Sequence, residues 1–257
     1  MLQSIKKLYG QKLAALDGEI GQVKDVYFDD HSRAVRYVIA DTGTWLTSRQ
    51  VLLSPRALGD LRPDEKVLSV KLTRKQIEDC PPIEWHKPVS RQYEEEYHRH
   101  YGWPYYWEGD GLWGGMRGFP ILETPPNFSP AGPPAAFGPK AERPDAHLHS
   151  AQAVTGYHLQ ATDGITGHVC DFLMDPKSWA ITQLVIKIGH RFTGKEVQLP
   201  MGQVERISYK ESTVFVKLTR EAVEKSPAYD PVPVPVVPIA PPGQAPRNPT
   251  VTINQTP

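Results

Sequence analysis

The stretch DGEIGQVKDVYFDD, residues 17–30, returns in altered form as DGITGHVCDFLMDP, residues 163–176. The two stretches lie 146 positions apart, and the same shift places residues 10–81 on residues 156–227 without a gap. Of these 72 positions, 23 are identical, and both copies end their last strand-like run with VKLTR. Identity at this level over one fixed shift indicates an internal duplication.

Each copy predicts short β-strands separated by tight turns, with a brief helix at the end. The dipeptide Asp-Gly opens the pattern twice, and glycine suits such turns because it adopts positive φ without steric cost. Runs rich in β-branched residues, bounded by turn residues, then predict strands. A threonine cap followed by helix-forming residues, Thr73 in one copy and Thr219 in the other, predicts one or two helical turns before a proline. The predicted strands of the first copy are residues 21–28, 34–40, 49–53 and 67–72, and the second copy repeats them.

A sheet this small exposes its edges unless it closes, so each copy is predicted to form a compact barrel. The fold class is therefore all-β: two small β-barrels, each with a short C-terminal helix, joined by an irregular linker rich in aromatic residues and proline. Of the 26 prolines, 21 lie in residues 82–150 and 227–257, which separates linker and tail from the folded copies. The predicted boundaries are 1–81 for the first copy, 82–150 for the linker, 151–227 for the second copy and 228–257 for a disordered Pro-rich tail.

Several stretches of the first copy together resemble the PRC-barrel domain, and the second copy follows the same pattern more loosely. The stretches of the first copy are GQVKD at 21–25, VRYVI at 35–39, DTG at 41–43, WL at 45–46 and RQVLLSP at 49–55; those of the second are GHVCD at 167–171, Phe192, KEV at 195–197 and LP at 199–200. This family includes the cytoplasmic domain of the photosynthetic reaction-centre H subunit and the C-terminal domain of the ribosome-maturation factors. The resemblance implies a non-enzymatic module that docks onto other macromolecules.

The aspartates and glycines of the repeated stretch favour architecture over chemistry. Paired carboxylates can serve acid/base catalysis or cation binding, but aspartate in a turn commonly bonds its own backbone. We therefore predict structural turns, with no catalytic, cofactor or metal site. The predicted turn residues are Asp17, Gly18, Gly21, Asp163, Gly164 and Gly167.

Two histidine pairs in the linker are the other candidate metal ligands. His98 and His100 form one pair, and His147 and His149 form the other. No cysteine lies near either pair, and both fall in irregular sequence, so solvated polar loops are the favoured interpretation over a weak metal site.

Composition and motifs weigh against several classes of function. The net charge is zero, without the basic excess of a nucleic-acid footprint. The sequence contains no nucleophile elbow, phosphate-binding glycine loop or Cys-x-x-Cys motif. Two cysteines, no signal peptide and no apolar run of membrane-spanning length favour a cytoplasmic protein. The missing catalytic motifs favour a protein without enzymatic activity.

The linker carries seven aromatic residues in positions 93–107, and such residues often anchor protein interfaces. We expect this stretch to dock either on a barrel or on a partner. The favoured function is an adaptor or regulatory protein that binds other proteins, with the two barrels either bivalent, paired with each other or joined in a homodimer. An accessory subunit of a membrane electron-transfer complex, like the H subunit, and a ribosome-assembly factor remain alternatives. The candidate protein-binding residues are Trp45, Leu46, Trp103, Tyr105, Tyr106, Trp107, Arg191 and Phe192.

Overall fold

The strand-forming runs of the first copy build one curled sheet. The computed structural model describes residues 2–43, 46, 49–60, 67–80, 91–107, 112–113, 148–189 and 194–230. The elements of the first copy are β1 (Gln3–Ser4), β2 (Lys12–Ala15), β3 (Gly18–Asp29), β4 (Ala34–Asp41), β5 (Gln50–Leu53), β6 (Val67–Ser69) and α1 (Arg74–Glu78). The sheet runs in the order β5-β4-β3-β2-β6, antiparallel except for the parallel pair of β2 and β6.

Backbone contacts after β5 close this sheet into a barrel. A 3₁₀ turn at Pro55–Ala57 reverses the chain and brings Leu58 into a bridge with Val70, directly after β6. Lys71 N then donates to Ala57 O at 2.6 Å. Closure removes most of the free edge that a small sheet would expose.

The second copy repeats this architecture after a linker that contains structure of its own. The remaining elements are α2 (Arg91–His100), β7 (Leu148–Ser150), α3 (Ala151–Val154), β8 (His158–Ala161), β9 (Gly164–Met174), β10 (Ile181–Ile188), β11 (Lys195–Pro200), β12 (Val204–Ser208), β13 (Thr213–Val216) and α4 (Arg220–Glu224). The sheet of the second copy runs in the order β11-β10-β9-β8-β13-β12, again with one parallel pair, β8 and β13. The all-β prediction and the short terminal helices are thus confirmed.

The two short helices that end the copies are capped as the sequence predicts. The Thr73 side chain accepts a hydrogen bond from Gln76 N, and Gln76 Oε1 accepts one from Thr73 N at 2.8 Å, which completes a capping box. The Thr219 side chain accepts from Ala222 N at 3.3 Å at the start of α4. Proline then follows each helix within three residues of its end.

The two sheets are joined because each copy lends a short strand to the other. β1 of the first copy pairs with β9, and β7, which leads into the second copy, pairs with β3. Residues 148–150, which the sequence analysis assigned to the linker, therefore belong to the first sheet. A single cluster of buried apolar side chains continues from one copy into the other.

Candidate functional site

The aromatic part of the linker is a helix and a turn that pack on the first barrel. α2 carries Glu94 in its first turn and basic side chains in its last, which suits the helix dipole. The chain turns after the helix at Gly102, whose φ is +65°. Gly102 N donates to Arg99 O at 3.2 Å and Trp103 N donates to His98 O at 2.9 Å, the bond pattern of a Schellman motif. This turn fixes the direction of the chain that follows the helix.

Tyr97 is the side chain by which α2 covers the barrel. It is fully buried, and its hydroxyl donates to Leu52 O and accepts from Ser54 N, both at 3.0 Å. These two groups lie at the end of β5, the outermost strand in the sheet order. The Tyr97 hydroxyl therefore makes the hydrogen bonds that the Leu52 carbonyl and the Ser54 amide could otherwise make with an additional β-strand.

A buried carboxylate lies beside Tyr97, between α2 and β4. Glu94 is fully buried, and its Oε1 accepts from the Tyr37 hydroxyl at 2.8 Å and the Tyr106 hydroxyl at 2.6 Å. Burial and the neighbouring carboxylate raise the pKa of Tyr37 well above its usual value. His98 completes the cluster, 3.2 Å from the Tyr37 hydroxyl and 3.0 Å from Pro104 O.

This cluster contains residue types that enzymes use, but its burial favours a structural role. Glu94 and Tyr37 are fully buried and His98 is 2% exposed, so a substrate could not reach them in this conformation. Their hydrogen bonds instead tie three parts of the chain together: β4, α2 and the turn at Tyr106. Buried hydrogen bonds shared among several elements in this way favour one arrangement of those elements.

Arginines continue the network to the seam between the copies. The guanidinium of Arg36 is buried, donates to Leu112 O at 2.5 Å and to Ser32 Oγ at 2.6 Å, and lies 3.8 Å from the centre of the Tyr106 ring. Burial lowers the pKa of Arg36. Arg56 donates to Trp113 O, and Trp113 Nε1 donates to Ser178 O of the second copy at 3.0 Å. The pair Leu112–Trp113 therefore contacts both copies.

Above the buried network lie three aromatic side chains that stay partly exposed. We call Trp103, Tyr105 and Trp107 the aromatic patch; all three are half-buried, and Pro104 between them is exposed. The rings of Tyr105 and Trp107 stack with centroids 4.8 Å apart and an interplanar angle of 17°. Trp103 stacks in the same way on Tyr101, at 4.6 Å and 17°.

The structure distributes the predicted protein-binding residues unevenly. Trp45, Arg191 and Phe192 lie outside the described residues, so their predicted role stays a prediction. Leu46 is half-buried and packs against the core. Tyr106 is only 4% exposed and bonds Glu94, so it supports the patch from beneath and offers a partner little surface.

The predicted turn aspartates each bind a helix of their own copy. Asp17 Oδ1 accepts from Arg74 N at 2.7 Å, and Asp163 Oδ1 accepts from Arg220 N at 2.8 Å. Each carboxylate therefore meets the first residue of α1 or α4, where the helix dipole favours negative charge. The predicted turn glycines at the start of β3 and β9, Gly18 and Gly164, have φ of +150° and +140°.

Two sequence interpretations need correction. Gly21 and Gly167, predicted as turn residues, lie within β3 and β9 and pair with Leu13 and Leu159. Asp25 and Asp171 lie in the same two strands, and their carboxylates bind the opposite copy. His98 and His149 are 2% and 1% exposed, so they do not lie in solvated loops; His100 is half-buried, and His147 lies outside the described residues. His149 Nε2 lies 3.1 Å from an Asp30 carboxylate oxygen. The short spacing between the histidines does not predict this burial, because the residues that bury them lie on distant strands.

Chemical features elsewhere are sparse within the parts of the chain that the structure describes. There, no group of three or more histidine, cysteine, aspartate or glutamate side chains is arranged to hold a metal ion. Burial raises the pKa of the Cys80 thiol to about 11, which keeps it protonated at neutral pH and chemically inert. None of the described helices combines the length and apolar character that a membrane span requires.

Comparison with known families supports the architecture of the first copy. Residues 4–78, from the end of β1 to the end of α1, match the PRC-barrel domain family. A comparison with curated proteins found no match to the chain. The resemblance stated from sequence is thereby confirmed for the first copy, whereas the relation of the second copy rests on the internal repeat and its matching strand order.

Proposed function

We propose that this protein is a non-enzymatic cytoplasmic adaptor that binds another protein through the aromatic patch on its first barrel. The observation that carries the proposal is the stacked, half-buried set of Trp103, Tyr105 and Trp107 above a buried hydrogen-bonded network. Tryptophan and tyrosine are the residues most enriched among the energetic anchors of protein interfaces.

Preorganisation of the patch supports this role. The stacked partners limit rotation of the rings, and the Schellman turn after α2 limits movement of the backbone. A surface that is already ordered loses little conformational entropy when a partner binds. The buried cluster around Glu94 then serves as the structural support of the patch. This role agrees with the burial of the cluster, which keeps a substrate from reaching it.

Comparison of the two copies adds a second line of support. The second copy carries glutamines, Gln183 and Gln198, where the first carries Tyr37 and Leu52 beneath the linker helix. After α4 its chain runs along β11, where Gln198 N donates to Pro227 O and Tyr229 N donates to Glu196 O, both at 2.9 Å. The described part of the second copy thus has no counterpart of α2 or of the patch.

The test is crosslinking in cells followed by affinity purification and mass spectrometry. We expect the wild-type chain to crosslink repeatedly to one protein assembly, and Trp103→Ala/Trp107→Ala to reduce that capture at least tenfold, because anchor residues contribute about 2 kcal/mol or more each. The matched control is Tyr229→Ala, which removes a half-buried aromatic side chain from the second copy.

The outcomes separate the possible surfaces. Equal capture by wild type and the patch variant, with unchanged circular dichroism, would refute the patch. Loss of capture in Trp45→Ala/Phe192→Ala instead would transfer binding to the loop residues predicted from sequence. The captured assembly also decides between a membrane electron-transfer complex, a ribosomal subunit and another partner.

A further inference from the structure

The two copies exchange their first strands in a reciprocal manner. Gln3 and Ser4 of β1 pair with Met174 and Leu173 of β9. In β7, His149 pairs with Phe28 of β3. The repeat shift of 146 positions places Gln3 on His149 and Ser4 on Ser150, so the two exchanges use equivalent residues. This reciprocity is the mark of an isologous interface, in which two partners use the same surface.

A carboxylate in each long strand clamps the incoming strand of the other copy. Asp171 accepts from Ser4 Oγ at 2.5 Å and from Lys6 N at 3.0 Å. Asp25 accepts from Ser150 Oγ at 2.5 Å, and its other oxygen accepts from Gln152 N at 3.1 Å. These bonds are equivalent under the repeat, and hydrogen bonds to an ionised group are stronger than neutral ones.

The seam between β4 and β10 is reciprocal as well. Ala34 and Ala180, equivalent residues, form an antiparallel bridge across it. Val35 N donates to Trp179 O at 2.9 Å, and Ile181 N donates to Arg33 O at 2.7 Å.

The accepting residues of this seam both adopt an unfavourable backbone conformation. The φ angles of Arg33 and Trp179 are +58° and +60°, in the left-handed region that non-glycine residues rarely occupy. Such strain persists where surrounding structure enforces it. In both copies the strained carbonyl accepts the bond that crosses the seam, so the pairing itself supplies this support.

Apolar side chains from both copies fill the space between the clamps. The centres of the Phe28 and Phe172 rings lie 5.0 Å apart, and Ile5, directly after β1, is fully buried. Ile5 N also donates to Phe172 O at 2.9 Å. The pairing therefore combines main-chain bonds, charged clamps and a shared core, which is the composition of an obligate interface.

We propose that the paired faces form a self-complementary protein–protein interface, in which each barrel binds the other barrel of the same chain without needing the covalent linker. The linker is then not what holds the copies together. It raises the local concentration of one copy around the other, which favours pairing within one chain. In this arrangement the pairing faces cannot bind two separate partners, because each barrel's pairing face is already occupied.

The experiment introduces a protease site into the linker of the full-length chain, between residues 124 and 144, and cuts the folded protein. We expect the two halves to co-elute in size-exclusion chromatography at micromolar concentration and to give the summed mass in native mass spectrometry. Mixing cut protein labelled with heavy isotopes with unlabelled cut protein should yield hybrid complexes. Halves that separate, whether folded or aggregated, overturn the proposal.

A matched pair of variants tests whether the clamps contribute. Ser4→Ala/Ser150→Ala removes both hydroxyl donors and should weaken association of the cut halves roughly 100-fold, about tenfold for each bond to a carboxylate. Ser208→Ala/Ser226→Ala is the control, because these hydroxyls bond only within the second copy. Circular dichroism of the uncut variants monitors folding. Equal association of the two variants overturns the role assigned to the clamps.

Discussion

The two copies share their barrel and their pairing face but differ in what covers the outer end of the sheet. In the first copy the hydroxyl of Tyr97 takes the free carbonyl and amide at the end of β5. In the second, residues 227–229 run along β11 and form an isolated β-bridge with it. An exposed strand edge is therefore covered by a helix side chain in the first copy and by main-chain hydrogen bonds in the second.

Several residues that are identical in the two copies lie at turns, at helix caps and on the pairing face. They include Asp17 and Asp163 at the helix starts, and Asp25 and Asp171 at the clamps. Beneath α2 the copies differ: Tyr37 and Leu52 of the first copy correspond to Gln183 and Gln198 of the second. A duplicated domain has thus kept the positions that form and pair the barrels, while the outer surface of one barrel acquired the linker helix.

The largest expected effect comes from the glycines of the long strands, Gly21 in β3 and Gly167 in β9. A Cβ at Gly21 would lie 1.9 Å from Asp41 O, and the φ of this residue is +122°. A Cβ at Gly167 would lie 2.4 Å from Lys187 O. Because backbone must move in both cases, we expect Gly21→Ala to lower the free energy of unfolding by about 4 kcal/mol and Gly167→Ala by about 3 kcal/mol.

Urea denaturation followed by circular dichroism measures both values, and Gly10→Ala is the control. A Cβ at Gly10 meets nothing within 4 Å, although its φ is +77°. Its cost is therefore conformational, about 1 kcal/mol. Equal costs at Gly21 and Gly10 would show that φ, and not the close approach of Asp41 O, determines the need for glycine at position 21.

Much of the barrel could be predicted from sequence because its signals are local. The run at Ala34–Asp41 and the Thr73 cap follow from β-branched residues and side-chain capping within a few positions. The exchanged strands could not be predicted in the same way. Gln3–Ser4 has only two residues, and its partner strand lies more than 160 positions away.

The candidate site was only partly visible in the sequence. Aromatic density indicated an interface, but the linker helix was missed, although Tyr93, Tyr97 and Tyr101 recur every four residues as one face of a helix requires. The buried position of Glu94 could not be predicted, because it depends on phenols from β4 and from the turn after α2. No local pattern encodes such a contact.

An intermediate effect is expected where the copies differ most, at Tyr97. Phenylalanine keeps the ring but leaves Leu52 O and Ser54 N without the hydroxyl, so Tyr97→Phe should lower the free energy of unfolding by about 2 kcal/mol. Tyr105→Phe, which removes a hydroxyl from the half-buried patch, is the control and should change stability by less than about 0.5 kcal/mol. Equal costs in urea denaturation would contradict the role of the hydroxyl in closing the strand edge.

The smallest effect is expected from two exposed ion pairs that are reversed between the copies. In α1, Lys75 precedes Asp79 with 3.6 Å between charged atoms. In α4 the equivalent positions hold Glu221 and Lys225, 2.5 Å apart. An acidic residue placed before a basic one at this spacing is the better order, because it also agrees with the helix dipole.

Exchanging the two charged residues of each pair should therefore change the free energy of unfolding in opposite directions in the two copies. Lys75→Glu/Asp79→Lys should raise the free energy of unfolding by about 0.3 kcal/mol, and Glu221→Lys/Lys225→Glu should lower it by about the same amount. Both differences should shrink in 1 M salt, because the side chains are more than half exposed and are therefore screened. Thermal denaturation of the two variants at low and high salt measures them, and changes of the same sign would show that the order of charges has no influence on these helices.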